Sequence, residues 1–433
     1  MRPGFLLLRT AIVCAVAASL HAQPSSADLL RRVTAKVLDT VGRLPKYMCT
    51  QTIDRTQLEP VAGTAGRRCE PPNAKQLRLT TSDRLRLDVA VSAGREMYSW
   101  VGEGRFEDRG LFELVKNGAV STGAFASLLA VVFRDDAAVF SYKGETTEAS
   151  RRVAEFEFHV PAPSSHYLFS GGGSRVITGY FGSIFVDAAS ADLVRLLVQT
   201  EGLPAETGAC ESSTDLTYNR VRLNDADFLL PSRVRLHILN MDGFELENNA
   251  AYSACHEFLG ESTLRFDEPP EPGAPATRET VENKDELPGD LPFTVALTKG
   301  IDVATAAAGD RLAATLTAPI RDATGHTFVP KGAAVTGRIV QIRRFYIPEP
   351  MVRLIFKLET VEIAGTPRRL TAAAEFSNPP PVLQAPGSLR RRVQLATPDN
   401  QDAEAMVFEA HRPSQNAVPP FESKWSTVAS SHQ

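Results

Sequence analysis

The sequence predicts a mainly β fold of the α+β class, in which an antiparallel sheet is covered on one face by helices and is followed by a small all-β barrel or sandwich. Three observations lead to this prediction. An amphipathic helix pattern stands near the N-terminus, and a long series of segments with alternating apolar and polar residues follows it. A proline-rich acidic stretch then separates that series from a second, shorter one.

The first 23 residues have the pattern of a secretory signal peptide. Arg2 and Arg9 are basic, an apolar run covers Ala11–Leu20, and small residues lead to a cleavage site close to Ala22 or Gln23. A retained membrane anchor is the alternative interpretation. No later segment approaches the roughly 18 apolar residues of a spanning helix, so we expect no integral membrane segment after signal removal. The sequence therefore predicts an exported protein of the periplasm or the extracellular space.

Composition limits the number of domains and the classes of partner. The chain has 433 residues, of which 43% are hydrophobic, and this suits two or three domains with sizeable cores. The formal net charge is -4, so there is no bulk positive field to attract nucleic acid. We therefore expect no nucleic-acid partner.

Removal of the signal peptide leaves four cysteines in an oxidising compartment, Cys49, Cys69, Cys210 and Cys255. An even number favours two disulfides, and four cysteines allow three pairings. The pairs Cys49–Cys69 and Cys210–Cys255 are favoured because each would close a local strand-loop-strand unit. A metal site is the alternative, but the spacing contains no CxxC and only His256 stands beside a cysteine, so no metal is predicted.

Residues Asp28–Arg43 form the clearest helix pattern in the chain. Apolar residues recur at every fourth position from Leu29 to Val41, which gives one apolar stripe. A serine such as Ser25 can cap the helix, and Pro45 follows its end. A helix packed on a sheet is the favoured interpretation, and a surface-binding helix is the alternative.

Strand patterns follow this helix. In the stretch Leu44–Arg55, the residues Tyr47, Cys49, Gln51 and Ile53 share one face of a predicted strand. Strict alternation over 85–91, a turn and a return over 96–101 predict a hairpin with one buried face. Helical stripes at 111–115 and 123–133 interrupt the series. Further strands are predicted at 137–142, 152–160, 175–186, 193–199, 215–223 and 232–239.

A linker, a second domain and a tail are predicted after the first domain, which covers 28–266. The segment 267–292 has six prolines and eight acidic residues against two basic ones, so we expect an extended, solvated linker. A small all-β domain is predicted over 293–376, where every second residue from Val352 to Leu358 is apolar. The remaining residues, 377–433, are predicted to be mostly disordered, with one short helix near Ala403–Ala410.

The order of elements in residues 28–266 resembles a known fold family. A helix enters the first strand, the hairpin Leu85–Val101 follows, and a later strand ending in Phe185-Val186-Asp187 precedes one starting at Leu193-Val194-Arg195. This order resembles the half-barrel of the periplasmic carriers that sort lipoproteins to the outer membrane. The resemblance implies a curved sheet clasped by helices, an apolar cavity for acyl chains, and a lipid or lipoprotein as ligand. The four cysteines depart from the pattern of those carriers.

Two further resemblances rest on short phrases. Leu44–Arg55 (LPKYMCTQTIDR) and Cys255-His256-Glu257-Phe258 are similar to segments of an uncharacterised family of exported bacterial proteins, common in acidobacteria. That resemblance implies export and fold but no chemistry. The phrase Phe328–Ala333 with Thr336–Ile339 resembles the β-barrel of scaffold proteins in conjugation-type secretion channels. It implies a docking module, with an envelope protein complex as partner.

No catalytic residue and no cofactor is predicted. Gly171-Gly172-Gly173-Ser174 lacks the end of a phosphate-binding loop and suits a flexible hairpin loop. No GxSxG elbow occurs in the sequence. Cys255 and His256 are neighbours on a predicted strand and point to opposite faces, which disfavours a cysteine nucleophile.

Five apolar or aromatic residues are candidates for a ligand pocket. Tyr98 and Trp100 share one face of a strand, with Phe106 just beyond it. Leu30 and Val37 lie on the inner face of the first helix. A packed core is the alternative explanation of the same pattern.

The function predicted from these features is that of an exported, non-catalytic binding protein that holds a lipid or a lipidated partner under the first sheet. One alternative is a structural protein of the cell envelope that docks through its C-terminal β domain. The other is a hydrolase, which is supported only by scattered Ser, His and Asp residues.

Overall fold

The computed structural model describes residues 25–61, 69, 76–92, 94–103, 106, 110–115, 117–134, 138–148, 151–224, 226–257, 287–375, 404–411 and 417–429. The predicted signal peptide, most of the predicted linker and the first part of the predicted tail lie outside the described residues. Within the described ranges, no helix has the length and apolar character needed to cross a membrane.

The helices of the described chain are α1 (Ser26–Arg43), α2 (Leu111–Leu114) and α3 (Ser127–Phe133). Helix α1 confirms the sequence prediction, since Leu29, Val33 and Val37 are buried against the sheet. The Ser25 side chain caps it by accepting a hydrogen bond from the Asp28 backbone N–H at 3.1 Å.

The first part of the chain forms an open, curved antiparallel sheet, as predicted. Its strands pair in the order β3-β2-β1-β12-β11-β10-β9-β8-β5-β4. We call this the N-terminal sheet, and β6 and β7 form a separate hairpin beside it. The bounds are β1 Tyr47–Pro60, β2 Leu77–Ser92, β3 Arg95–Trp100, β4 Val139–Glu148, β5 Arg151–Val160, β6 Leu168–Gly171, β7 Ser174–Ile177, β8 Gly179–Asp187, β9 Leu193–Glu201, β10 Ala209–Leu223, β11 Ala226–Asn240 and β12 Glu245–Glu257.

Alternation along β1 gives the N-terminal sheet one inward face and one outward face. Tyr47, Cys49, Gln51 and Ile53 are each at most 3% exposed, which confirms that they share the inward face. Arg55 continues the same row and is also buried. A buried arginine requires a partner for its charge.

The structure contains two disulfides, but the pairing favoured from the sequence is wrong. Cys49 is bonded to Cys255, and Cys69 is bonded to Cys210. Strand β1 pairs with β12 on one side, so the Cα atoms of Cys49 and Cys255 lie 4.1 Å apart. Pairing cysteines by their proximity in the sequence fails here because the N-terminal sheet places its first strand, β1, beside its last strand, β12.

The later part of the chain forms a second antiparallel sheet, which we call the C-terminal sheet. Its strands pair in the order β21-β24-β13-β15-β18-β19-β22, and β20 pairs with the end of β19. The bounds are β13 Pro292–Leu297, β14 Ile301–Asp302, β15 Arg311–Leu316, β16 Ile320–Arg321, β17 Thr327–Val329, β18 Ala334–Phe345, β19 Met351–Ile363, β20 Thr366–Arg369, β21 Ala372–Ala374, β22 Ala405–His411, β23 Ala417–Val418 and β24 Glu422–Thr427.

Residues near the C-terminus complete this second sheet, which corrects two expectations. The short helix expected near Ala403–Ala410 is wrong, because that stretch is strand β22. The expectation of disorder is wrong for β24, where Trp425 is fully buried and its ring lies 5.7 Å from that of Phe356. Five consecutive residues of β22, 405–409, are buried, so this strand is covered on both faces and shows no alternation in sequence.

The outer edge of β2 joins the two sheets. Residues Leu87–Ser92 pair with β3, and Thr81–Asp83 pair with β18 of the C-terminal sheet. Between them, the Ala308 carbonyl accepts the Arg86 N–H at 2.7 Å, and the Ala308 N–H donates to the Arg84 carbonyl at 2.8 Å. The outer backbone edge of β2 is therefore hydrogen-bonded along residues 80–92.

Buried polar side chains reinforce this junction. Arg338 is 1% exposed, pairs with Glu359 at 2.8 Å, and donates to the carbonyls of Val101 and Gly309 at 2.9 Å each. Gly309 has a φ of +103°, and a Cβ there would lie 2.1 Å from the Arg86 carbonyl oxygen. Only glycine allows the two backbones to approach this closely.

Gly309→Ala should therefore weaken the junction between the sheets. Gly325 has a φ of +87° and no atom within 4 Å of the same position, so Gly325→Ala is a matched control for backbone strain alone. We expect the free energy of unfolding to fall by about 1 kcal/mol for the control and by about 3 kcal/mol for Gly309→Ala. Chemical denaturation measures both losses, and equal losses would contradict a tight junction.

Asp192 holds helix α1 against the N-terminal sheet. Its carboxylate accepts Lys36 Nζ of α1 at 2.6 Å and two guanidinium bonds from Arg220 of β10, at 2.6 and 2.9 Å. Burial alone would raise the pKa of Asp192. The hydrogen bonds and charges of Arg220 and Lys36 outweigh burial and hold this pKa below its ordinary value.

Acid should release this contact. Because the pKa of Asp192 is lower in the folded protein than in the unfolded chain, ionised Asp192 stabilises the fold above about pH 4, and that stabilisation is lost as the pH falls through the folded-state pKa. Asp192→Asn should reduce the difference in unfolding temperature between about pH 7 and about pH 3. Asp39→Asn, which removes an exposed pair with Arg43 of α1, should leave that difference unchanged. Equal acid sensitivity of Asp192→Asn and wild type would argue against the contact.

Candidate ligand cleft

A cleft of about 440 Å³ opens on the inward face of the N-terminal sheet. Strands β10 and β11 form its floor, the hairpin β6–β7 forms one side, and the segment 118–128 forms the opposite wall. It lies beside the main core of this sheet and is lined by a separate, smaller group of apolar residues. Pockets of this size commonly hold small organic ligands.

The floor of the cleft follows from strand register. Ser212 of β10 lies opposite Ile238 of β11, and Thr214 lies opposite Leu236. All four are buried and point to the inward face, since alternate residues of a strand share a face. The floor therefore offers two aliphatic side chains beside two hydroxyl groups.

The glycine-rich stretch shapes the side of the cleft. Gly172 and Gly173 have φ values of +57° and +82°, which is the geometry of a tight two-residue hairpin turn. The turn joins β6 to β7, as the sequence predicted for a hairpin loop in preference to a phosphate-binding loop. It brings Phe169 of β6, which is buried, into the cleft lining.

The mouth of the cleft exposes apolar surface. Phe112 and Leu168 line the mouth, and each keeps 54% of its surface in contact with solvent. Ile177, opposite Leu168 in the hairpin, is 60% exposed. Arg175, His166 and Tyr167 are the titratable side chains of the lining. Exposed apolar residues around a concave site are typical of a binding surface.

The wall has no regular secondary structure before α3 and is held by side chains of the sheet. Asn248 Nδ2 donates to the Ala119 carbonyl at 2.7 Å. The Glu96 carboxylate accepts the backbone N–H groups of Gly123 at 2.7 Å and Phe125 at 3.0 Å. The sheet thus replaces the backbone hydrogen bonds that a helix or strand would supply to this segment.

Buried tyrosines surround the Glu96 anchor. The Tyr98 hydroxyl donates to Glu96 at 2.5 Å, and burial followed by the nearby Glu96 charge raises the pKa of Tyr98 well above its ordinary value. Burial and the same charge also raise the pKa values of Tyr218 and Tyr252. These hydroxyls therefore stay protonated. Tyr98 and Tyr218 donate hydrogen bonds, to Glu96 and to the Ala124 carbonyl, whereas the Tyr252 hydroxyl accepts one from the Gln51 amide. Among the described residues, the Tyr47 hydroxyl is buried without a hydrogen-bond partner.

The five residues proposed from the sequence as a ligand pocket do not line this cleft. Val37 and Tyr98 are buried in the main core, and Leu30 is half-buried against it. Trp100 is half-buried and lines a separate cavity of about 240 Å³ at the junction of the two sheets, and Phe106 is half-buried. A pocket formed by these five residues stays a prediction.

The residues that line the cleft were not predicted from the sequence. Leu168 and Phe169 directly precede the glycine-rich turn, and Leu236 and Ile238 alternate within a predicted strand. Those patterns show that the residues face inward. They contain no information on which inward positions are left uncovered by a helix, because that depends on how far α3 extends across the sheet.

Three solved structures are similar to part of the chain. No protein-family model matches it, and no curated protein matches it. A putative outer membrane lipoprotein-sorting protein domain from Vibrio parahaemolyticus is 11% identical, with 54% of this chain and 93% of that chain covered and a TM-score of 0.27.

Two other solved structures give similar values. A DUF1329 family protein from Desulfovibrio piger is 9% identical, with coverage of 57% and 98% and a TM-score of 0.28. The LolA superfamily protein NE2245 from Nitrosomonas europaea is 9% identical, with coverage of 53% and 94% and a TM-score of 0.25. Scores this low support no conclusion about function.

Glu96→Gln should loosen the cleft wall. The amide side chain keeps one acceptor oxygen where the carboxylate has two, so one of the backbone N–H groups of Gly123 and Phe125 loses its partner. We expect hydrogen exchange over 117–125 to accelerate by about tenfold, which corresponds to about 1.4 kcal/mol. Glu113→Gln, at an exposed position of α2, is the control and should leave exchange unchanged. Unaltered exchange in Glu96→Gln would show that Glu96 does not anchor the wall.

Proposed function

We propose that this chain is an exported, non-catalytic binding protein that holds the apolar chain of a lipid, or of a lipidated partner, in the cleft under the N-terminal sheet. The observation that carries the proposal is an open cleft of about 440 Å³ with apolar residues on its floor and at its mouth. A soluble domain rarely leaves such surface uncovered without a ligand or partner to cover it.

The lining suits an amphiphile better than a wholly polar ligand. Leu236, Ile238 and Phe169 remove an apolar chain from water, and this burial supplies most of the binding free energy. The polar end of the ligand remains at the mouth, where Arg175 is exposed. Ser212 and Thr214 on the floor limit how much of the lining is apolar.

Export is the second part of the proposal. The N-terminal pattern of residues 1–23 is that of a signal peptide, and disulfides such as Cys49–Cys255 and Cys69–Cys210 persist in oxidising compartments. The periplasm or the extracellular space supplies both conditions. Lipids and lipidated proteins cross such aqueous compartments only when their acyl chains are shielded.

Leu168→Glu should weaken binding of a fluorescent long-chain fatty acid to the purified protein. Leu168 is 54% exposed at the mouth, and burial of that exposed half by a ligand contributes about 1 kcal/mol, so affinity should fall by about fivefold to tenfold. Val139→Glu is the matched control, because Val139 is 72% exposed on the edge strand β4, away from the cleft. It should bind as wild type does.

Two results would contradict the proposal. One is the absence of saturable binding by wild-type protein. The other is equal weakening by Leu168→Glu and Val139→Glu, which would show that the probe binds exposed apolar surface in general.

A further inference from the structure

We propose that the C-terminal sheet sets the position of the cleft wall through a relay of three charged side chains, the half-buried Arg343 and the shielded pair Asp83 and Arg55. In this relay Arg55 is the positioning residue, since it holds the wall and touches no ligand. The consequence for ligand affinity rests on the proposed function, whereas the mechanical link between the sheet and the wall does not.

The first link joins Arg55 to the wall. Arg55 Nη1 donates to the Asn117 carbonyl at 2.7 Å and approaches the Ala119 carbonyl at 3.5 Å. Gly118 between them has a φ of +84°, and a Cβ there would lie 2.7 Å from Arg55 Nη1. A side chain at position 118 would collide with the guanidinium group, so the wall has a glycine there. Arg55 therefore contacts the backbone at the start of the wall.

The second link orients Arg55. Asp83 lies opposite Arg55 in the β1–β2 register and accepts Nε at 2.6 Å and Nη2 at 2.7 Å. The two side chains are 8% and 7% exposed, so the pair is shielded from water. Because this bidentate pair uses one edge of the planar guanidinium, Nη1 is left pointing at the wall.

The third link belongs to the C-terminal sheet. Arg343 of β18 lies opposite Asp83 in the β18–β2 register, and its Nη2 donates to Asp83 Oδ2 at 3.1 Å. One carboxylate oxygen of Asp83 is therefore shared between a cation from each sheet. The backbone pairing of β18 with β2 also fixes the main chain of Asp83. Strand β18 therefore restrains Asp83 twice, through its main chain and through its side chain.

Through the relay, the C-terminal sheet influences ligand binding by positioning the cleft wall, although the sheet itself does not contact the ligand. Loss of Arg343 leaves Asp83 with a single cation and removes one of its two restraints. Asp83 and Arg55 can then shift together, because they remain paired in a shielded site. A shift of Arg55 moves the Asn117 and Ala119 carbonyls and hence the cleft wall.

Hydrogen exchange of the full chain tests the mechanical link without any ligand. Arg343→Gln should accelerate exchange over 117–125 by about threefold or more, within the range of coupling through packed polar networks. Exchange over β9 should not change. Arg344→Gln is the matched control, because Arg344 is the next residue of β18 and bonds the Val303 carbonyl of its own sheet. Arg343→Lys keeps the charge and should restore part of the protection.

The fatty-acid probe then separates the two proposals. If wild type binds the probe, Arg343→Gln should change its affinity by about threefold or more while Arg344→Gln does not. If wild type binds no probe, the proposed function fails, yet exchange over 117–125 still tests the relay. Exchange over 117–125 that is the same in Arg343→Gln, Arg344→Gln and wild type would overturn the relay itself, provided that thermal unfolding shows all three to be folded.

Discussion

The outer edge of β2, which β3 covers only in part, is the constraint on which the rest of the structure depends. A strand of 16 residues needs partners for its backbone on both sides, and β3 is long enough to cover only Leu87–Ser92. Residues 80–86 are covered by Ala308, Tyr346 and strand β18, all from the later part of the chain. Later residues of the same chain therefore pair with the exposed backbone edge of β2, and this pairing fixes how the two sheets meet.

The same arrangement explains why charged side chains are paired where the sheets meet. Hydrogen bonding of β18 to β2 brings Asp83 and Arg343 into register, and the alternation of β1 brings Arg55 to the same place. A single buried charge would destabilise the junction, but a carboxylate between two guanidinium groups is paired on both sides. The cleft wall is attached to this group, so the architecture of the junction and that of the cleft share their central residues.

Local features were predictable from the sequence, and long-range pairings were not. Helix α1 and the inward face of β1 follow from periodicity. The regular spacing of apolar residues such as Leu29, Val33 and Tyr47 predicts which face is buried, and all three are buried in the structure. Strand β22 was mistaken for a helix because burial on both faces removes the alternation that identifies a strand. The cleft depends on which inward residues α3 leaves uncovered, which no single segment encodes. Arg55 is the one residue that could have predicted part of this arrangement. It continues the inward row of β1, and a charged side chain on a buried face requires a partner of opposite charge.

The nested arrangement of the two disulfides has a consequence for how the protein matures. The loop closed by Cys69 and Cys210 lies inside the loop closed by Cys49 and Cys255. Cys49 and Cys69 lie much closer together in the sequence than the native partners do, so loop closure favours a bond between them in the unfolded chain. Native oxidation must therefore follow strand assembly, and a thiol–disulfide exchange step has to remove any early Cys49–Cys69 bond. For this chain, the folded sheet selects which cysteines remain bonded.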